Sequence, residues 1–162
     1  MEKIELEKML HHRKPYLIID EVVEISQNHI QTAKKVSMDD FYASGHFPGA
    51  TVVPGAVMHE MCTQSAGVLI AKYYNPMEGD YNTDDPFHNK YALGVLKKME
   101  GAKFLNFAKP GDQLQIKVTL IDHMQDLFKF KAEIQKQTAD ESHKVMQCRF
   151  TLCNIESKLL YS

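Results

Sequence analysis

Three stretches in the second half of this 162-residue chain alternate apolar and polar residues with a period of two, and they constrain the fold more than any other feature. Leu114, Ile116, Val118 and Leu120 alternate with Gln113, Gln115, Lys117 and Thr119. Phe128, Phe130, Ala132 and Ile134 do the same against Lys129, Lys131, Glu133 and Gln135, and Met146, Cys148, Phe150 and Leu152 repeat the pattern. Successive side chains of a strand point to opposite faces, so each stretch has one apolar face and one wet face. Three in succession predict an antiparallel sheet whose apolar side needs a cover. From Gly55 to about Tyr73 only Gly67 interrupts a helix, Pro54 suits its first position, and apolar residues fall on nearly every face. That segment is the one candidate large enough to be the cover. Further strands are expected over Tyr16–Ile25, His29–Val36, Tyr91–Glu100 and Ala102–Ala108, with a modest opening helix over residues 2–10 and loops over 38–54 and 73–91. The expected architecture is α+β, an antiparallel sheet of about six strands wrapped around one long central helix, in a single domain spanning 1–162.

Charge and cysteine usage narrow the class. Nineteen Lys and Arg against 21 Asp and Glu give a net charge of -2, without the basic excess of a nucleic-acid binder. Cys62, Cys148 and Cys153 are an odd, sparse set that reads as reduced thiols, hence a cytoplasmic protein. The first thirty residues interleave charges with apolar residues, so no export signal is expected. The most apolar stretch carries His59, Glu60 and Gln64, so no membrane span is expected either.

Two features call for chemistry: His46 in a loop rigidified by Gly and Pro, and Glu60 in an otherwise apolar central helix. Buried carboxylates are paired or functional. Gln64, one turn on, shares the face of Glu60 and can orient its carboxyl through a hydrogen bond. Gly55, following Pro54 at the helix start, points a free N–H outward. His59-Glu60 begins a zinc-binding HExxH pattern, but Thr63 stands where the second His belongs, so no metal is expected. Cys62 reads as plain core.

The run from Gly45 to Gln64 resembles the (3R)-hydroxyacyl-acyl-carrier-protein dehydratases of fatty acid synthesis, the FabZ/FabA-like enzymes of the hot-dog fold. The family pattern, roughly GHFPGxPxxPGxxxxE with Gln four residues after the Glu, is met here without a gap. HHRKPYLIID is similar to the family's PHRxPFLLVD strand and AKFLNFAKPGDQLQIKV to its KFxxPVxPGDxL segment, so the resemblance covers residues 10 to about 153. It departs at Thr51, which replaces the usual loop proline, at the bulky His59 and Met61, and in the long 73–91 segment.

The resemblance implies that His46 and Glu60 are the catalytic pair, Gly55 the backbone donor to the thioester oxygen, Gln64 a supporting residue, and Gly45, Phe47, Pro48 and Gly49 the substrate loop. It also implies a homodimer in which His46 of one subunit meets Glu60 of the other beside an apolar acyl tunnel, trimers of dimers being common in the family. The substrate would be an acyl-carrier-protein-bound 3-hydroxyacyl chain and the product a trans-2-enoyl chain, with no cofactor. The residue types fit. Loss of water needs a base at C2, an acid for the 3-hydroxyl and a donor for charge on the thioester oxygen. An ordinary imidazole is mostly neutral at pH 7, whereas a glutamic acid that donates a proton there needs surroundings that favour its neutral form.

Two rival functions carry the same fold: a thioesterase, and an acyl-binding subunit without catalysis. The intact GHFPG argues against the first; His46, Gly55, Glu60 and Gln64 together argue against the second. Arg13, Lys14, Lys97, Lys98, Lys103 and Lys109 are candidates for a basic patch that greets an acidic carrier. The aromatics of 73–91, Tyr73, Tyr74, Tyr81, Phe87 and Tyr91, suggest a flap near the acyl tunnel.

Overall fold

The computed structural model describes residues 4–75, 82–85, 91–138, 141–156 and 159. Its elements run α1 (Leu6–Met9), β1 (Glu21–Ile25), β2 (His29–Lys35), α2 (Gly55–Tyr73), β3 (Tyr91–Phe104), β4 (Gln113–Met124), β5 (Leu127–Gln137) and β6 (Ser142–Glu156). The strands form one six-stranded sheet in the order β1-β2-β4-β5-β6-β3, antiparallel throughout. With β3 at one edge, the sheet curls around α2, as the alternation and the lone apolar helix predict.

The register explains the curl. Leu120, Phe130 and Phe150 face one another across β4, β5 and β6, as do Val118, Ala132 and Cys148, and Ile116, Ile134 and Met146. Apart from Leu120, which is partly buried, these rows are almost entirely removed from water, and each large side chain so buried contributes about 1.5–3 kcal/mol. Met58, Met61, Cys62, Ala66, Val68, Leu69 and Ile70 of α2 fill the trough they make. Two buried hydroxyls settle their own polarity there. Ser65 donates to the Met61 carbonyl (2.7 Å), and Thr32 of β2 lies 2.7 Å from the Ser65 oxygen.

Three expectations are corrected. The strand expected over Tyr16–Ile25 begins at Glu21. Leu17, Ile18 and Ile19 are buried, but their backbone is tied to a side chain of α2: Ile18 N–H donates to Gln64 Oε1 (3.0 Å) and Gln64 Nε2 donates to the Tyr16 carbonyl (2.7 Å). The two strands expected over Tyr91–Glu100 and Ala102–Ala108 are one, because Gly101 takes a positive φ of 56° and lets β3 continue through an irregular register to Phe104. The opening helix spans only Leu6–Met9, with no side-chain cap at Glu5 to lengthen it.

Among the described residues no helix is long and apolar enough to cross a membrane and no His, Cys, Asp and Glu cluster is suited to a metal. The three cysteines are free.

Candidate active site

His46 sits in the loop between β2 and α2. The turn that carries it closes through Ala50 N–H to the Phe47 carbonyl (2.9 Å) and Val52 N–H to the His46 carbonyl (2.9 Å). Gly49 takes a φ of 77°, which a residue with a Cβ adopts only under strain. His46 Nδ1 lies 3.0 Å from the Val52 carbonyl, so Nδ1 carries the proton and donates it, leaving Nε2 with its lone pair. That is the tautomer a general base needs. Phe47, half exposed, stacks on the imidazole with ring centres 4.2 Å apart. Thr51, the departure from the family's proline, donates to the Ala43 carbonyl (3.1 Å) and so braces the loop in another way.

The loop is fastened at its root. Lys34 Nζ donates to Asp40 (2.7 Å), Ser37 N–H donates to Asp40 (2.9 Å), and so does the Tyr42 hydroxyl (2.9 Å). Burial alone would raise the Asp40 carboxyl, but these three donors outweigh it and hold the group below the ordinary aspartate range. Burial and the adjoining carboxylate push the Tyr42 hydroxyl far up, so it stays a donor.

Glu60 lies in the second turn of α2, its side chain 23% exposed, less sealed than the apolar surroundings of the helix suggest. Gln64 Nε2 donates to Oε1 (3.0 Å), the orientation expected for a Gln four residues on. Thr63 lies with its hydroxyl 2.9 Å from both the Glu60 carbonyl and Oε2. A hydroxyl has one proton for those two acceptors, so both contacts are made at once when Oε2 carries a proton of its own. His12 Nε2 stands 3.7 Å from Oε1. Burial, then the Glu60 charge and a hydrogen bond to it, push the Tyr16 hydroxyl up. Thr63, His12 and Tyr16 escaped sequence reasoning: Thr63 drew notice only as a missing zinc ligand, and the other two come from a segment far from Glu60 in the chain.

A groove of about 410 Å³ opens from Glu60 along α2. Helix residues Thr63, Gly67, Ile70 and Ala71 form its floor; Met9 and Leu10 stand on one side, and Val95, Leu96 and Leu152 on the other. A side chain at Gly67 would press on Leu10 at 3.0 Å, so glycine keeps the groove open there. Gly55 is the first residue of α2, and its N–H has no acceptor among the described residues. A Cβ at Gly55 would come within 2.8 Å of the Phe104 ring, so this position admits no side chain while that ring stays in place.

Among the described residues no hydrogen bond or ion pair joins His46 to Glu60 in the protomer. The other candidates take structural places. His59 packs edge-on to Phe150, with ring centres 5.4 Å apart. Cys62 is fully buried, and the adjoining Cys148 and burial push its thiol up, which leaves it unreactive. Arg13 is no free docking cation: it donates to the Leu10 and His12 carbonyls and pairs with Asp84 (2.7 Å). Lys98 pairs with Glu100 (2.9 Å). Of the expected flap, Tyr74 packs against Phe128 and donates to the Gln27 carbonyl (2.9 Å) instead of reaching the groove. Thr83 does meet the N-terminal segment, accepting from His11 Nδ1 (2.9 Å) and donating to the Glu7 carbonyl. Tyr81, Phe87 and the side chain of Tyr91 lie outside the described residues.

The chain is similar to known proteins in sequence and in fold. The ApeI-like family, described as ApeI dehydratase, matches residues 22–144. A 3-hydroxyacyl-[acyl-carrier-protein] dehydratase FabZ of Cupriavidus taiwanensis is 36% identical over 126 residues, which is 77% of each chain. The FabZ of Coxiella burnetii is 31% identical over 153 residues, 94% of this chain and 96% of that one. Among solved structures, the dehydratase heterocomplex ApeI:P of Xenorhabdus doucetiae superposes with a TM-score of 0.76 at 21% identity, covering 98% of this chain and 95% of that one. A hypothetical thioesterase of Streptococcus pneumoniae reaches 0.58 at 17% identity, covering 84% and 85%. These structural likenesses speak for the fold, the sequence matches for the family: the chain belongs to the ApeI-like dehydratases, enzymes of the hot-dog fold.

Proposed function

We propose that this dehydratase removes water from (3R)-3-hydroxyacyl chains carried as thioesters on an acyl carrier protein in the cytoplasm, giving trans-2-enoyl thioesters. The observation that carries the reading is the His46 tautomer: the Val52 carbonyl accepts a hydrogen bond from Nδ1–H, which leaves Nε2 able to accept a proton. His46 Nε2 takes the proton from C2, and the C–H electrons form the C2–C3 double bond. The 3-hydroxyl leaves with the proton of Glu60 as water, and the proton on His46 then returns to Glu60, closing the cycle. Thr63 and Gln64 support Glu60 as the acid, since their contacts with its two oxygens are complete in the neutral form. Charge on the thioester oxygen falls to the Gly55 N–H, a donor of a kind worth about 3 to 4 kcal/mol in such sites.

The two catalytic groups meet across a dimer. The His46 loop is tied to the end of β3 and the segment that follows it, through Gly55 against Phe104 and Val53 N–H to the Ala108 carbonyl (2.9 Å). The Glu60 groove is walled by the beginning of β3, Gly94, Val95 and Leu96. β3 is an edge strand with Val95, Leu96, Met99 and Phe104 exposed, a feature that soluble proteins ordinarily cover. Antiparallel pairing of two such edges about Met99 and Glu100 lays the end of one strand beside the beginning of the other, and so brings His46 of one copy toward Glu60 of its partner.

The test is turnover of a 3-hydroxyacyl thioester on carrier protein, followed by absorbance of the conjugated product and by thiol release. Enoyl thioester without free thiol is expected. Free thiol without enoyl product would identify a thioesterase, and neither product an acyl-binding protein.

A further inference from the structure

We propose that His12 is a positioning residue for Glu60: its Nε2–H holds Oε1, so that Oε2 is the oxygen that carries and releases the catalytic proton. The inference rests on the dehydratase reading above and adds a residue from outside the His46–Glu60 motif.

Two observations assign the proton on His12. Its Nδ1 is buried with no hydrogen-bond partner among the described residues, while its Nε2 faces Oε1 at 3.7 Å. A neutral imidazole has a single N–H, and a proton on Nδ1 would be stranded, so it sits on Nε2 toward the carboxyl. The distance exceeds a direct hydrogen bond, a looseness common in unliganded sites whose contacts tighten around substrate. The ring is held for that role. It stacks on Tyr16 at 6.0 Å with an interplanar angle of 20°, and Arg13 clamps the backbone on both sides by donating to the Leu10 and His12 carbonyls (2.9 and 3.0 Å).

The donors around Glu60 then divide unequally. Gln64 and His12 both address Oε1, Thr63 addresses Oε2, and the Tyr16 hydroxyl stands against the same carboxyl. An oxygen that receives two donors is the carbonyl oxygen of a neutral carboxyl, and the proton is left on the other. The charge environment keeps His12 neutral at pH 7. Burial pushes its pKa down, Glu60 of α2 pulls it up, and Arg13 pushes it down again. His11 and Tyr16 complete the titratable neighbours on its own segment, and Asp84 acts at one remove by pairing with Arg13. Among the described residues, β3 and β6 contribute Gly94, Val95, Leu96, Leu152 and Asn154, none of which titrates. Protonation of His12 in acid would place a cation against Glu60 and draw the catalytic proton away.

The test compares the wild-type dimer with His12→Ala, His12→Gln and Glu60→Gln, all checked for native circular dichroism. His12→Ala should lose about 10- to 100-fold in kcat with KM within about threefold, the pattern of a displaced reacting group and not of lost binding. His12→Gln, whose amide offers an N–H at similar reach, should recover most of that loss. As pH falls, the wild-type log kcat/KM should drop more steeply than that of His12→Gln, by up to about one further unit of slope, because His12 also protonates. An arm independent of turnover follows the ring nitrogens by NMR: His12 should carry its proton on Nε2, and its titration should move to lower pH in Glu60→Gln. Full kcat in His12→Ala, a proton on Nδ1, or an unmoved titration would overturn the proposal. Inactivity of wild type toward 3-hydroxyacyl thioesters would sink the dehydratase reading instead, and the NMR arm would still decide on His12.

Discussion

The two halves of the site are built differently. His46 is placed by backbone: a tight turn, one carbonyl that fixes its tautomer, and a buried ion pair under the loop. Glu60 is placed by side chains that converge on it from its own helix and from the segment before β1. The loop half is therefore written locally. Its Gly, Pro and His stand within a few residues of one another, and turn chemistry alone dictates most of their arrangement. The helix half depends on a contact such as Gln64 with Tyr16, 48 residues apart in sequence.

The largest expected effects strike both halves alike. His46→Ala and Glu60→Gln should each lower kcat at least about 100-fold, as removal of a proton-transfer group does; a variant within about tenfold of wild type would exclude that group from the chemistry. The halves should then part company. Thr63→Val removes one hydrogen bond to the carboxyl, worth about 1 to 1.5 kcal/mol, so kcat should fall about tenfold with the melting temperature little changed. Asp40→Asn should do the opposite, costing about 3 kcal/mol of stability because Lys34, only 9% exposed, loses its nearest carboxylate. A thermal melt that leaves Asp40→Asn unchanged would remove the ion pair as the anchor of the loop.

The smallest effect separates the halves by pH. Burial lowers the folded-state values of His11 and His12, so below about 6.5, the ordinary imidazole value, the unfolded chain binds protons that the folded one resists. Stability should fall as pH drops through that range. Asp40 is lowered as well, but for a carboxyl that favours the charged form: held below the ordinary aspartate value of about 3.9, it contributes in full above that value and is lost only as pH falls through its lower folded value. Hydrogen exchange should thus show the N-terminal segment loosening near pH 6 while the His46 loop stays protected. Loosening of both together would contradict the distinction.

The same contrast explains what could be read in the chain. Period-two alternation located β4, β5 and β6, because one residue in two is forced to one face. The GHFPG run and the spacing of Glu60 and Gln64 located both halves of the candidate site. Tyr16–Ile19 was misread as strand because burial by a sheet and burial under a helix leave the same apolar run, and only the Gln64 amide tells them apart. Gly101 was misread as a break because a bulge and a turn ask the same positive φ of glycine. His12 and Tyr16 were illegible because no periodicity links a residue to a distant carboxyl, whereas Thr63, three residues from Glu60 on the same helix, stands at a spacing as legible as that of Gln64.

The central claim is that one complete site needs both halves from two chains, and mixing His46→Ala with Glu60→Gln tests it most directly. After subunit exchange at equal amounts, half of the dimers pair one variant with the other, and each of those holds one intact site. Dehydration should return to about one quarter of the wild-type rate, from two proteins that are nearly inactive alone. Exchange demonstrated by mass with no recovery of enoyl product would mean that His46 and Glu60 do not work across the interface.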